Sequence, residues 1–188
     1  MRTRARQAGF TLVELMVVVT IIGILAGVSL TAFKGRPVGD GARMATGLMN
    51  EARRRAQAAG PVRADVAAAN GIRYRERVEY ADSGAYATLF LCELTEDAAP
   101  ATTYKWVQLS YVTLPAKATI RGVSSVAASL PGGTVPGSLA AGTVKYFYPD
   151  GSADAHTVWL ATRGLASGET YRITVMPLTG SAEAYAGW

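Results

Sequence analysis

The residues best suited to chemistry gather in Asp150-Gly151-Ser152-Ala153-Asp154-Ala155-His156, which brings a hydroxyl, two carboxylates and the chain's single histidine together. A Ser-His-Asp arrangement would use His156 as general base on Ser152, with Asp150 or Asp154 orienting the imidazole. The same run is what a tight turn demands, because Asp, Gly and Ser satisfy their own backbone there. The turn is the reading taken, and no catalytic residue is assigned. Asp150 and Asp154 supply too few oxygens at loop spacing for calcium. Cys and His form no metal-ligand cluster and no glycine-rich phosphate loop follows a strand, so neither a metal nor a cofactor is expected. Cys92 is the one cysteine and alternates with Thr88, Phe90 and Leu94, which reads as a buried structural thiol. A different kind of chemistry is posed by Glu14, the only ionisable side chain between Arg6 and Lys34. A carboxylate near the middle of a membrane helix costs roughly 2.5–3.5 kcal/mol on insertion scales, so it calls for a partner.

The element that carries Glu14 is a run from Phe10 to Phe33, which as a helix would measure ~36 Å, enough for a hydrocarbon core of ~30 Å. Arg2, Arg4 and Arg6 precede it, which places the N-terminus in the cytoplasm and the body of the chain across the membrane. These three account for most of the formal charge of +5 and leave 16 basic against 14 acidic side chains, so the high pI says little about nucleic acid. An ordinary secretory signal cut near Ser29 or Ala32 is the competing reading, but the apolar run exceeds the usual ~7–15 residues and Leu30 sits two before Ala32. A plain uncleaved anchor is a third reading, and it leaves Glu14 unexplained.

Gly9-Phe10-Thr11-Leu12-Val13-Glu14 followed by an apolar helix resembles the class III signal of type IV pilins and of the pseudopilins of type II secretion. The resemblance implies a leader, residues 1–9, cut between Gly9 and Phe10 by a membrane prepilin peptidase. It further implies N-methylation of Phe10 and extraction of the mature chain into a helical filament, with Glu14 as the acidic fifth residue of that chain. Cleavage would create an α-ammonium at Phe10. Pairing that cation with Glu14 relieves two groups that are each costly in a low dielectric, which makes Glu14 an expected assembly residue.

Downstream of the span, residues 10–33, the run Gly35-Arg36-Pro37-Val38-Gly39-Asp40-Gly41 holds three glycines and a proline, and a hinge is expected over residues 34–41. Many pilins carry a proline nearer the middle of the apolar helix, where this chain has Thr31. A second helix is expected over residues 42–60, with Asp40 as cap and Gly60-Pro61 as stop. On it Met44, Ala45, Leu48, Met49, Ala52, Ala56 and Ala59 fall within an arc of about 140° suited to packing on a sheet. Arg43, Asn50 and Arg54 take the opposite side, and Arg55 can pair with Glu51. From residue 62 the period becomes alternating. Strands are expected at Val62–Val66, Ile72–Tyr80, Ala87–Leu94, Tyr104–Leu114, Thr119–Val123, Thr143–Tyr148, Thr157–Thr162 and Tyr171–Pro177, with Pro149-Asp150-Gly151 turning a hairpin. The fold class is therefore α+β, a long N-terminal helix, membrane-spanning and then amphipathic, packed on an antiparallel sheet or sandwich over residues 61–188.

The stretches 47–66 and 144–185 resemble the H-type minor pseudopilins and the related FimT/FimU minor pilins. Some FimT-like pilins bind DNA, and Arg73, Arg75 and Arg77 would line ~13 Å of one strand face. A solvated outer face is the preferred reading of that row, and the C-terminal "GSAEAYAGW" contains no lysine or arginine, so nucleic acid is not expected as a partner. The expected partners are other pilin-like subunits through the N-terminal helix, the prepilin peptidase, the inner-membrane assembly platform and the bilayer. The expected function is a non-enzymatic minor pseudopilin near the tip of a type II secretion pseudopilus. A minor pilin that primes a type IV pilus is the nearest alternative, ahead of a DNA-uptake pilin or a tethered hydrolase.

Overall fold

An apolar run without a proline forms the first helix, α1 (Leu12–Ala32, 21 residues). In this computed structural model the described residues are 11–32, 35–96, 104–125, 135, 137–165 and 168–187, and the chain divides into two units at Gly35/Arg36. In α1, eleven large apolar side chains from Leu12 to Leu25 stand 48–76% exposed. A helix that is apolar on every face requires lipid or other helices around it.

The second unit is built on α2 (Pro37–Ala59, 23 residues), followed by α3 (Ala64–Asn70) and eight strands: β1 (Glu76–Asp82), β2 (Ala87–Glu96), β3 (Tyr104–Thr113), β4 (Ala118–Ser124), β5 (Val144–Phe147), β6 (His156–Thr162), β7 (Thr170–Val175) and β8 (Ala182–Ala186). They form two four-stranded antiparallel sheets, ordered β3-β2-β1-β5 and β4-β6-β7-β8. The small side chains Ala42, Ala45, Ala52 and Ala56 of α2, with Leu48 and Met49, pack in one core with Val78, Leu89 and Leu91 of the first sheet and Val158, Leu160 and Ile173 of the second. Polar ties join the sheets, among them Thr119 Oγ1 of β4 donating to Asp82 Oδ2 of β1 at 2.6 Å. Tyr80 Oη of β1 meets His156 Nε2 of β6 at 2.9 Å, and Arg163 reaches Asp82 Oδ1 at 3.3 Å and the Ala118 carbonyl at 3.1 Å.

Several expectations are corrected. The helix starts at Pro37, not at residue 42, because proline is well suited to the first helical position and its missing N–H costs nothing there. Gly39 and Gly41 act as contact points within α2 instead of breaking it. A Cβ on Gly39 would lie 2.9 Å from Tyr171 Oη, and one on Gly41 would lie 3.4 Å from Pro115 Cδ. Asp40 sits inside the first turn and does not cap; the Val38 N–H donates instead to Glu169 Oε2 at 3.3 Å. Met44 and Ala59 leave the buried stripe. Asn50 faces the core edge, exchanging bonds of 3.2 and 3.1 Å with the backbone of Ala182 and so fastening β8 to the helix. Val62–Val66 is no strand: alanines favour the helix α3, and Val66 on that helix and Val62 just ahead of it lie in a small second core with Ile72 and Leu94. Pro149-Asp150-Gly151 does turn the chain, but only the bridge Phe147↔Ala153 follows, since β5 pairs with β1 while β6 crosses to the other sheet.

Candidate functional site

Gly9 and Phe10, the expected cleavage pair and methylated residue, lie outside the described residues. The site can be built from Thr11 onward. The Leu15 N–H donates to the Thr11 carbonyl at 3.2 Å, the first bond of α1, which makes Thr11 the cap residue. Glu14 Oε2 accepts from the Thr11 N–H and from its Oγ1, both at 2.9 Å, and the Glu14 N–H returns a 3.2 Å bond to Thr11 Oγ1. This is a capping box: each side chain satisfies a backbone donor that the first helical turn leaves without a partner. Thr11-Leu12-Val13-Glu14 carries the T-x-x-E signature of that motif, so the signal was present in the residues. The sequence calls for a cationic partner for Glu14, whereas the partner the described residues show is the neutral Thr11, three residues upstream.

The same helix carries Gly23 and Gly27, four apart, with open space where each Cβ would stand. Such a G-x-x-x-G spacing lets another apolar helix approach closely. Among the described residues no helix is long and apolar enough to cross a membrane. Residues 11–27, the part of the apolar run whose side chains are described, measure ~25 Å, short of a ~30 Å hydrocarbon core.

The structure does not assemble the Ser-His-Asp set. Ser152 Oγ donates to Asp150 Oδ1 at 2.6 Å within the turn. His156 is fully buried, with Nδ1 2.7 Å from the Asp154 carbonyl and Nε2 2.9 Å from Tyr80 Oη. A carbonyl only accepts, so Nδ1 carries the proton and Nε2 accepts from the tyrosine. Burial lowers the imidazole pKa to about 4 and keeps the ring neutral. Asp154 accepts from the Tyr146 N–H at 3.2 Å and from Tyr148 Oη at 2.9 Å, so its carboxylate already has protein donors. Among the described residues no group of three or more His, Cys, Asp or Glu is placed to hold a metal ion.

The arginine row does not form either. Arg73 and Arg75 precede β1, and Arg77, the one arginine of the row on the strand, is ion-paired with Glu79 and lies 4.1 Å above the Trp106 ring. Cys92 is buried in β2, and burial raises its thiol pKa. The pairing of Arg55 with Glu51 is present at 2.8 Å, and Arg54 shares the same carboxylate at 2.7 Å.

Comparison with known proteins adds one finding. Residues 4–30 match the prokaryotic N-terminal methylation motif, the signal of type IV pilins and pseudopilins, and this supports the pilin-like family. No curated protein and no solved structure matches the chain.

Proposed function

We propose that this chain is a minor pseudopilin, most like the H type, incorporated near the tip of a type II secretion pseudopilus. The observation that carries the reading is the methylation motif over residues 4–30, which takes in most of α1, a helix with apolar side chains exposed on every face. Prepilin peptidase cuts after Gly9, Phe10 becomes the methylated N-terminus, and α1 holds the chain in the inner membrane with the second unit in the periplasm. As a continuous helix the apolar run of residues 10–33 would measure ~36 Å, against a hydrocarbon core of ~30 Å. Its uncovered apolar side chains then pass from lipid to neighbouring subunits. A carboxylate offers about four lone-pair sites, so the two bonds from Thr11 do not saturate Glu14, and the α-ammonium of Phe10 on its own or a neighbouring subunit completes the set. The work of such a subunit is structural: positioning helices in a filament, with no bond made or broken by its own side chains.

Deletion of the chain tests the reading in its native cell. Exoproteins should accumulate in the periplasm while surface pili persist, and restored secretion should require an intact Gly9-Phe10 pair. Loss of pili with normal secretion would assign the chain to a type IV pilus instead.

A further inference from the structure

At the C-terminal end of α2 two carboxylates face each other where like charges are least welcome. Glu76 of β1 and Glu93 of β2 are directly opposed in the antiparallel ladder, which sets their Cβ atoms ~4.5–5.5 Å apart on one face of the sheet. That face is the one turned to the helix. Glu76 is 1% exposed, its Oε2 is buried with no hydrogen-bond partner, and its other cross-strand neighbour is the apolar Phe147. Both glutamates line a cleft of ≈ 280 Å³ with Arg55, Ala58 and Ala59.

Besides Glu93, the charges that act on Glu76 are the cations Arg55 and Arg75 and the carboxylate of Glu51. Arg55, which lines the same cleft, is ion-paired with Glu51, whose carboxylate also takes Arg54. A divalent metal is a poor occupant, since two carboxylates beside an arginine fall short of the six to eight oxygens calcium takes. A proton fits, because it needs no space at the buried oxygen and removes the repulsion at its source.

We propose that Glu76, opposed across the ladder by the charge of Glu93, holds a proton at neutral pH, and that its release through the cleft at alkaline pH turns Arg55 from Glu51 onto the ionised carboxylate. The lower end of α2 thereby responds to the pH of the compartment around the second unit. Burial first, and the charge of Glu93 second, push the Glu76 carboxyl up to about 8. A raised carboxyl pKa makes the folded state hold its proton while the unfolded chain has lost it, so folding is progressively opposed as pH rises from about 4.5 to about 8.

The test uses the full-length chain in detergent, wild type beside E76Q, E93Q and R55A. Infrared spectroscopy should show a protonated-carboxyl C=O band at neutral pH that disappears with a midpoint near pH 8 and is missing in E76Q. The midpoint should fall in E93Q, which lacks the like charge, and rise in R55A, which lacks the cation that receives the ionised carboxylate. Across the same window the folding equilibrium constant of the wild type should fall ~tenfold per pH unit relative to E76Q. A glutamine side chain is isosteric with a protonated glutamate, so E76Q should fold; if it does not, the wild-type band and the two midpoint shifts decide. No band at neutral pH, or a midpoint unchanged in both E93Q and R55A, would overturn the proposal.

Discussion

Acid should loosen the second unit through His156, and H156Q should abolish that sensitivity. The imidazole joins the two sheets, accepting from Tyr80 Oη at 2.9 Å while its Nδ1–H donates to the Asp154 carbonyl at 2.7 Å. Protonation places a second N–H against the tyrosine oxygen and a charge in a site with no exposure. The folded pKa of about 4 lies below the ordinary 6.5, so as pH falls the unfolded chain takes the proton first. Stability is therefore intact above about 6.5 and is lost progressively down to about 4. A difference of ~2.5 pKa units at ~1.4 kcal/mol each gives ~3.5 kcal/mol, a large share of the stability of a small domain. The wild-type curve alone does not isolate the effect, because Glu76 contributes an opposite slope from about 4.5 to about 8. The difference between wild type and H156Q does, since the glutamine amide can accept from Tyr80 and donate to Asp154 without titrating. Chemical denaturation of the full-length chain across pH should show that difference growing by ~3.5 kcal/mol toward acid. Parallel curves for the two proteins, or a folded-state histidine that titrates near 6.5 by NMR, would refute the reasoning.

Two glycines of one helix should respond in opposite directions. G39A drives a Cβ to within 2.9 Å of Tyr171 Oη and should cost ~1–3 kcal/mol, whereas G47A meets nothing within 4 Å and should add ~0.5–1 kcal/mol, both read as shifts in the urea midpoint. Glu14 caps α1 and is proposed to pair with the Phe10 ammonium, and E14Q divides the two: glutamine keeps the capping box but not the charge. Normal incorporation of E14Q into filaments would leave Glu14 as a cap only, while loss of incorporation with α1 still inserted supports pairing with the Phe10 ammonium. G9V, with a branched side chain at the expected cut, should give inserted but unprocessed protein on gels.

What the residues disclosed depended on whether periodicity or context decided the structure. The stripe of α2 was legible because Ala45, Leu48, Met49, Ala52 and Ala56 recur at helical spacing, and all five are buried. Strands such as Ala87–Glu96 and His156–Thr162 announced themselves through β-branched and aromatic residues between turns. The edge strand β8 did not, because Ala182-Glu183-Ala184 has little strand propensity and is held by pairing with β7 and by Asn50 from the helix. Gly39 and Gly41 misled for a related reason: a glycine that admits a neighbouring side chain reads, in isolation, like one that breaks a helix. At the candidate site the cap formed by Thr11 and Glu14 is local and had a sequence signature, whereas the opposition of Glu76 and Glu93 needs a strand register that no local pattern supplies.

If the chain is processed as a pilin, the mass of its mature N-terminus records it. Protein purified from its native membrane should begin at Phe10 and carry one additional methyl group on the α-amine, with residues 1–9 absent. A mature chain that begins near Leu30 or Phe33 would contradict the account and establish an ordinary secretory signal, and a chain that retains its leader in cells with active prepilin peptidase would reduce α1 to a plain anchor.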